Sequence, residues 1–130
     1  KEYGVDVTAA TEVPEALDMD GGTLPEEGIL DALGTGLYVS DLWYCNFSDR
    51  NHCRITGMTR FGCFWVERGR LIAPINVMRF DESLYHLLGD RLIDLTRERT
   101  LIADPCSYEQ RSTDTCRLPG VLVDGFTLTL

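Results

Sequence analysis

Residues 42–61, LWYCNFSDRNHCRITGMTRF, gather the side chains of this sequence most able to do chemistry. Two cysteines (Cys45 and Cys53) flank His52, and Arg50, Arg54 and Arg60 stand among Trp43, Tyr44 and Phe47. Three chemistries fit such residue types: a metal site, a thiol nucleophile with its base, or a surface that meets a partner. Cys45, His52 and Cys53 are soft ligands, but neighbouring side chains on a strand point to opposite faces. A structural zinc site normally shows one tight ligand pair and a second pair further on, and the stretch has neither. A cysteine nucleophile needs a base, and His52 and His86 are the two histidines available. No local signature accompanies either, so buried thiols and satisfied or exposed histidines account for these residues better. We assign no catalytic residue and no metal ligand here.

Other reaction machinery is equally faint. The GGT at 21–23 precedes a helical pattern without the rest of a phosphate-binding loop, and the GTG at 34–36 leads into a strand. These glycines read as turn residues. With twenty-one acidic residues, chance carboxylate pairs are inevitable and identify no acid–base couple.

A chain of 130 residues is the size of one domain, and no apolar run reaches the length of a membrane span. The opening KEYGVDV carries neither an initiator methionine nor a secretory apolar region, so the sequence reads as a piece of something longer. The net charge of −9 is uneven: residues 1–49 carry eleven carboxylates against the single cation Lys1, while all eleven arginines follow. Those arginines are interleaved with acids, which argues against a nucleic-acid face. The acidic arm reads as solvated loop, with packing over the arginine-rich part as the alternative. Five cysteines without paired spacing point to free thiols in a reducing, cytoplasmic setting.

The elements that would position these residues are mostly strands. Ala16–Met19 is a strand candidate closed by Gly21 and Gly22. TLPEEGILDALG predicts a short helix, with Thr23 and Glu26 at capping-box spacing and a stop at Gly34. GLYVSDLWYCNF and CRITGMTRFGCFWVERGRLIAPINVM read as strands, with a hairpin at Glu67-Arg68-Gly69-Arg70. DESLYHLLGDRLIDLTRE predicts a helix burying Leu84, Tyr85, Leu88, Leu92 and Leu95, weakened at Gly89. Residues 99–118 read as loop with a turn at Asp104-Pro105. LPGVLVDGFTLTL reads as a strand pair about Asp124-Gly125. The class is α+β, a mainly antiparallel, barrel-like sheet with two short-to-medium helices.

The order of these features, a Gly-Leu-Tyr strand, the hairpin WVERGRLIAPI, the segment MRFDESLYHLLG and the closing LPGVLVDGFTLTL, resembles the C-terminal domain of the TldD/PmbA family, also called "modulator of DNA gyrase" proteins. The resemblance is densest over 36–96 and from Leu118 onward. It implies a single C-terminal domain over 1–130, taken from a longer metallopeptidase-related protein that acts on unstructured peptides and is inactive alone. It implies zinc on a His-Glu-x-x-x-His helix of the full-length protein or its partner, a motif this sequence lacks. A non-catalytic PmbA-like subunit that shapes the peptide cavity is the alternative. Cys106, thirteen residues before Pro119, stands about where the family's ligand cysteine precedes its closing strands, although PCSYEQRSTDTC lacks the glycines found there.

On this reading 42–61 is a core strand pair. Trp43, Tyr44, Arg50, Arg54 and Arg60 are its candidate binding residues, facing an unstructured peptide, a TldD- or PmbA-like subunit or a second copy. Six aromatics between Trp43 and Trp65 are too many for one small core, so some of them should lie exposed.

Overall fold

Strands dominate because long-range pairing claims almost every segment with alternating or β-branched residues. The computed structural model describes residues 16–103 and 115–129. In chain order the strands are β1 (Ala16–Asp18), β2 (Gly36–Tyr38), β3 (Leu42–Asp49), β4 (Arg54–Thr59), β5 (Phe64–Glu67), β6 (Arg70–Pro74), β7 (Arg79–Ser83), β8 (Leu92–Ala103), β9 (Thr115–Val123) and β10 (Leu128–Thr129). One turn of 3-10 helix, Glu26–Gly28, runs into the helix α1 (Ile29–Leu33), and a wide π turn spans His86–Asp90. The strands form three sheets, ordered β1-β9-β8, β10-β7-β4-β3 and β2-β5-β6. Pairing is antiparallel except between β1 and β9 and at a bridge from Leu24 to Thr96. Each sheet ends in edge strands, so among the described residues none closes into a barrel. No helix among them is long and apolar enough to cross a membrane.

The Arg68-Gly69 hairpin forms where the sequence puts it. Both residues have positive φ (49° and 73°), the geometry a two-residue turn between right-twisted strands requires. The turn is tied to the end of α1, with Gly69 N–H donating to the Gly34 carbonyl at 2.8 Å and Arg68 N–H to Thr35 Oγ1 at 3.2 Å. The capping box at Thr23 and Glu26 does not form. Carboxylates of β8 outcompete it: Thr23 donates its N–H and hydroxyl to Asp94 (3.1 and 2.6 Å), and Glu26 N–H donates to Glu98 at 2.9 Å. Asp94 is thereby held below the usual carboxylate range, first by the Thr23 hydroxyl.

The long helix expected over 81–98 is corrected to strand, turn and strand. Phe80 and Glu82 are buried between β4 and β10, so β7 alternates with the period of two that a central strand demands. Gly89, at φ −123° and ψ −108°, departs from helical geometry at the turn. Tyr85 (66% exposed) and Leu88 (48% exposed) lie outside the core where a helical stripe would have buried them. β8 then runs on to Ala103 against β9, well into the stretch that reads as loop. The turn at Asp104-Pro105 and Cys106 lie outside the described residues. The two closing strands exist but do not pair with each other: β9 lies between β1 and β8, and β10 joins β7. The acidic arm does meet arginines, Asp18 pairing with Arg99 (2.5 Å) and Arg117 (3.7 Å).

The apolar core is small. Cys63, Val66 and Phe80 are the buried apolar side chains among the described residues, and Phe126 packs on Phe80 with ring centroids 5.2 Å apart.

Candidate interaction surface on the edge strand

β3 is an edge. It pairs with β4 on one side and with no described strand on the other, and seven of its eight residues are exposed. The reading of 42–61 as a core pair is therefore corrected for β3; β4, flanked by β3 and β7, is the inner strand. An exposed edge presents unpaired N–H and C=O groups, the usual template for strand addition.

A bulge shapes this edge. Trp43 faces Met58 and Asn46 faces Thr56, so Tyr44 and Cys45 together oppose Gly57. Tyr44 takes a left-handed φ of 58°, which costs a non-glycine residue on the order of 1 kcal/mol. Gly57 is required by close approach. A Cβ there would lie 2.8 Å from the buried Phe80 ring and 2.9 Å from the Trp43 carbonyl oxygen. A glycine inside a strand pattern is the sequence signal for such a bulge. Beside it is a recess of about 130 Å³ lined by Tyr44, Asn46, Thr56, Gly57, Met58 and Arg79. Sequence reasoning missed Asn46, Met58 and Arg79, which only the pairing register brings together.

The aromatic cluster is largely outside. Trp43 (47%), Tyr44 (67%), Phe47 (51%) and Phe61 (64%) are all substantially exposed, and Trp65 is at 36%. Arg60 ties two of them together, its guanidinium carbon 4.6 Å from the Trp43 ring centre and 4.5 Å from that of Phe61. Such contacts are worth about 0.5–1 kcal/mol at exposed sites. Trp43 also packs against Tyr44 with centroids 5.5 Å apart, and Arg50 lies over Phe47 at 5.5 Å. Arg54 turns elsewhere. It grips Asp81 on β7 through Nε and Nη2 (2.8 and 2.6 Å), an internal sheet contact.

The remaining reactive groups of the edge lie in turn and strand contacts. His52 is 76% exposed and Nδ1 meets Asp49 at 2.7 Å, a turn contact that holds Asp49 below the usual carboxylate range. Cys45 is pushed above the ordinary thiol value by burial and then by the charge of Asp41, which disfavours the nucleophilic thiolate. The four described cysteines, Cys45, Cys53, Cys63 and Cys116, are free. Among the described residues no three His, Cys, Asp or Glu side chains converge on a metal position.

The profile of the PmbA/TldA metallopeptidase C-terminal domain family matches residues 7–130. No curated protein matches the sequence significantly. Among solved structures, TldE from Thermococcus kodakarensis has a similar fold, with a TM-score of 0.68 over 88% of this chain at 16% identity. The matched part is 24% of the TldE chain, so this sequence spans about a quarter of that protein's length.

Proposed function

The chain belongs to the PmbA/TldA metallopeptidase C-terminal domain family, and we propose that it supplies the polypeptide-binding surface of a TldD/PmbA-type metallopeptidase-related protein without being active alone. The observation that carries this is the Trp43–Arg60–Phe61 stack, with Tyr44 and Phe47, on an exposed edge strand. Aromatic residues and arginine are favoured at interfaces, and an open edge adds main-chain hydrogen bonds to whatever lies along it. The occupant is an unstructured peptide, or the facing segment of a TldD- or PmbA-like subunit or a second copy. The described side chains offer no donor set that fits a metal, so we assign peptide cleavage, and any zinc it uses, to residues outside them or to a partner subunit. The free, scattered cysteines favour a reducing, cytoplasmic setting.

The test is association. The purified chain should bind a fluorescein-labelled unstructured peptide or self-associate, as read by anisotropy and sedimentation. Trp43→Ala and Arg60→Ala should weaken this about tenfold, each removing a central contact. Arg54→Ala should leave it unchanged, since Arg54 is engaged with Asp81. A strictly monomeric chain with no peptide affinity, or equal effects of Arg54→Ala and Arg60→Ala, would overturn the reading. Peptide turnover by the purified chain would overturn its inactivity.

A further inference from the structure

We propose that the recess beside the bulge is a receptor for a carboxylate carried on a short apolar group: the α-carboxylate of a peptide's last residue, or the side-chain carboxylate of an aspartate or glutamate within it. The inference rests on reading β3 as a polypeptide-binding edge and names what part of the polypeptide this point of the edge takes.

The first observation is an uncommitted cation. Arg79 is exposed at the recess on β7, opposite Met58, and its guanidinium makes no hydrogen bond or ion pair with any described residue. Its neighbours in charge are all engaged. Arg54 holds Asp81, Arg60 lies between Trp43 and Phe61, and Arg91 meets Glu82. The carboxylates on the same sheet face are engaged as well, Asp81 by Arg54 and Asp49 by His52. A guanidinium offers a planar fork of donors that fits a carboxylate in bidentate fashion, and no described acid supplies one.

The second observation is the character of the cavity. The Gly57 backbone forms part of its lining, Met58 adds an adaptable apolar surface, and Tyr44 borders it. The Thr56 hydroxyl is spent on the Phe80 carbonyl at 2.7 Å. Asn46 donates to the Tyr44 carbonyl at 3.2 Å, while its side-chain oxygen has no described partner and is placed to accept a peptide N–H. A volume of about 130 Å³ suits one residue; pockets for drug-sized molecules begin at about 300 Å³.

The third observation is strain. The left-handed Tyr44 keeps its side chain 67% exposed, so burial of the ring does not offset the cost of its backbone. The bulge turns the ring outward beside the recess, and strain held at an open surface is a mark of binding sites.

The experiment titrates the purified chain with three probes: N-acetyl-Ala-Ala as the free acid, the same dipeptide as its amide, and N-acetyl-Ala-Asp-Ala-amide. Amide resonances of Asn46, Thr56, Met58 and Arg79 are followed by NMR. The free acid should shift them saturably and the amide should not. Arg79→Gln should weaken binding about tenfold or more, as expected for loss of a charge-assisted contact, and Arg79→Lys should restore part of it. An equal response to the internal aspartate identifies the side-chain source; a response to the free acid alone identifies the peptide terminus. Equal binding of acid and amide, an unchanged affinity in Arg79→Gln, or no saturable shift with either acid overturns the proposal. Shifts at Trp43 and Phe61 without shifts at Asn46 and Arg79 overturn it too, while leaving the edge strand as a binding surface.

Discussion

Replacing Glu82 with alanine should be among the most damaging single changes in the four-stranded sheet. Its carboxylate is 2% exposed and collects four donors. Oε1 accepts from Ser83 N–H at 2.9 Å, and Oε2 accepts from Thr127 N–H (3.0 Å), the Thr127 hydroxyl (2.7 Å) and Arg91 Nη1 (3.3 Å). These contacts fasten the segment leading into β10, and Phe126 in it packs on Phe80. Glu82→Ala leaves two backbone donors and a guanidinium without an acceptor. Breaking a buried ion pair in this way costs about 3–5 kcal/mol. The low end, about 3 kcal/mol, applies because Arg91 keeps 37% of its side chain in water and can turn toward it. With a urea slope of about 2 kcal/mol per molar, the midpoint should fall by about 1.5 M, followed through Trp43 and Trp65 fluorescence.

The same carboxylate sets an acid dependence. Burial alone would raise the Glu82 pKa, but the Thr127 hydroxyl, the two N–H groups and Arg91 more than offset it and hold the group below its ordinary value. A depressed folded value adds stability that is complete above the unfolded glutamate value of about 4.3 and is lost as pH falls through the folded one. Glu82→Ala should remove that part of the acid loss. A variant within about 0.5 kcal/mol of wild type at neutral pH, the range of an ordinary surface change, would refute the four-donor clamp.

Two further outcomes probe the bulge. Gly57→Ala should cost about 1–3 kcal/mol by urea midpoint, the range for overpacking, because the added Cβ meets the buried Phe80 ring and the Trp43 carbonyl, neither of which can retreat. Tyr44→Val should cost about 1–2 kcal/mol, since a β-branched residue tolerates left-handed φ poorly, whereas Tyr44→Asn should be nearly neutral in stability.

How much of this fold can be read from the residues depends on the range of the interactions that decide each segment. The Arg68-Gly69 hairpin, the short helix ending at Gly34 and the strand at Ala16 rest on local chemistry: positive φ, a glycine stop, a brief apolar run. The segment 79–98 does not. FDESLYHLLGDRLIDL has leucines at helical spacing, yet Phe80 and Glu82 are claimed by partners on β4 and β10 far along the chain. Pairing on both sides of β7 outweighs a helical pattern whose face nothing else would cover. The capping box failed for the same reason, since Asp94 and Glu98 lie some seventy residues from the groups they satisfy.

The surface divides in the same way. Composition alone marks 42–61 as rich in aromatics and arginine, but treats Arg50, Arg54 and Arg60 alike. Register separates them. Arg54 is opposite Ser83 and within reach of Asp81, so its charge is spent inside the sheet. Arg60 follows the last residue of β4, where its chain can lie between Trp43 and Phe61. Arg79 lies in the segment MRFDESLYHLLG, which gives it no role of its own, and its place beside Tyr44 exists only because β7 pairs with β4 while β4 pairs with a bulged β3. A charged side chain on an inner strand with no partner among the described residues is the kind of feature a sequence conceals and a register exposes. The geometry of this edge therefore turns on Gly57 as much as on any arginine: a side chain there would push against Phe80 and the Trp43 carbonyl, and the bulge that sets Tyr44 beside Arg79 would have to shift.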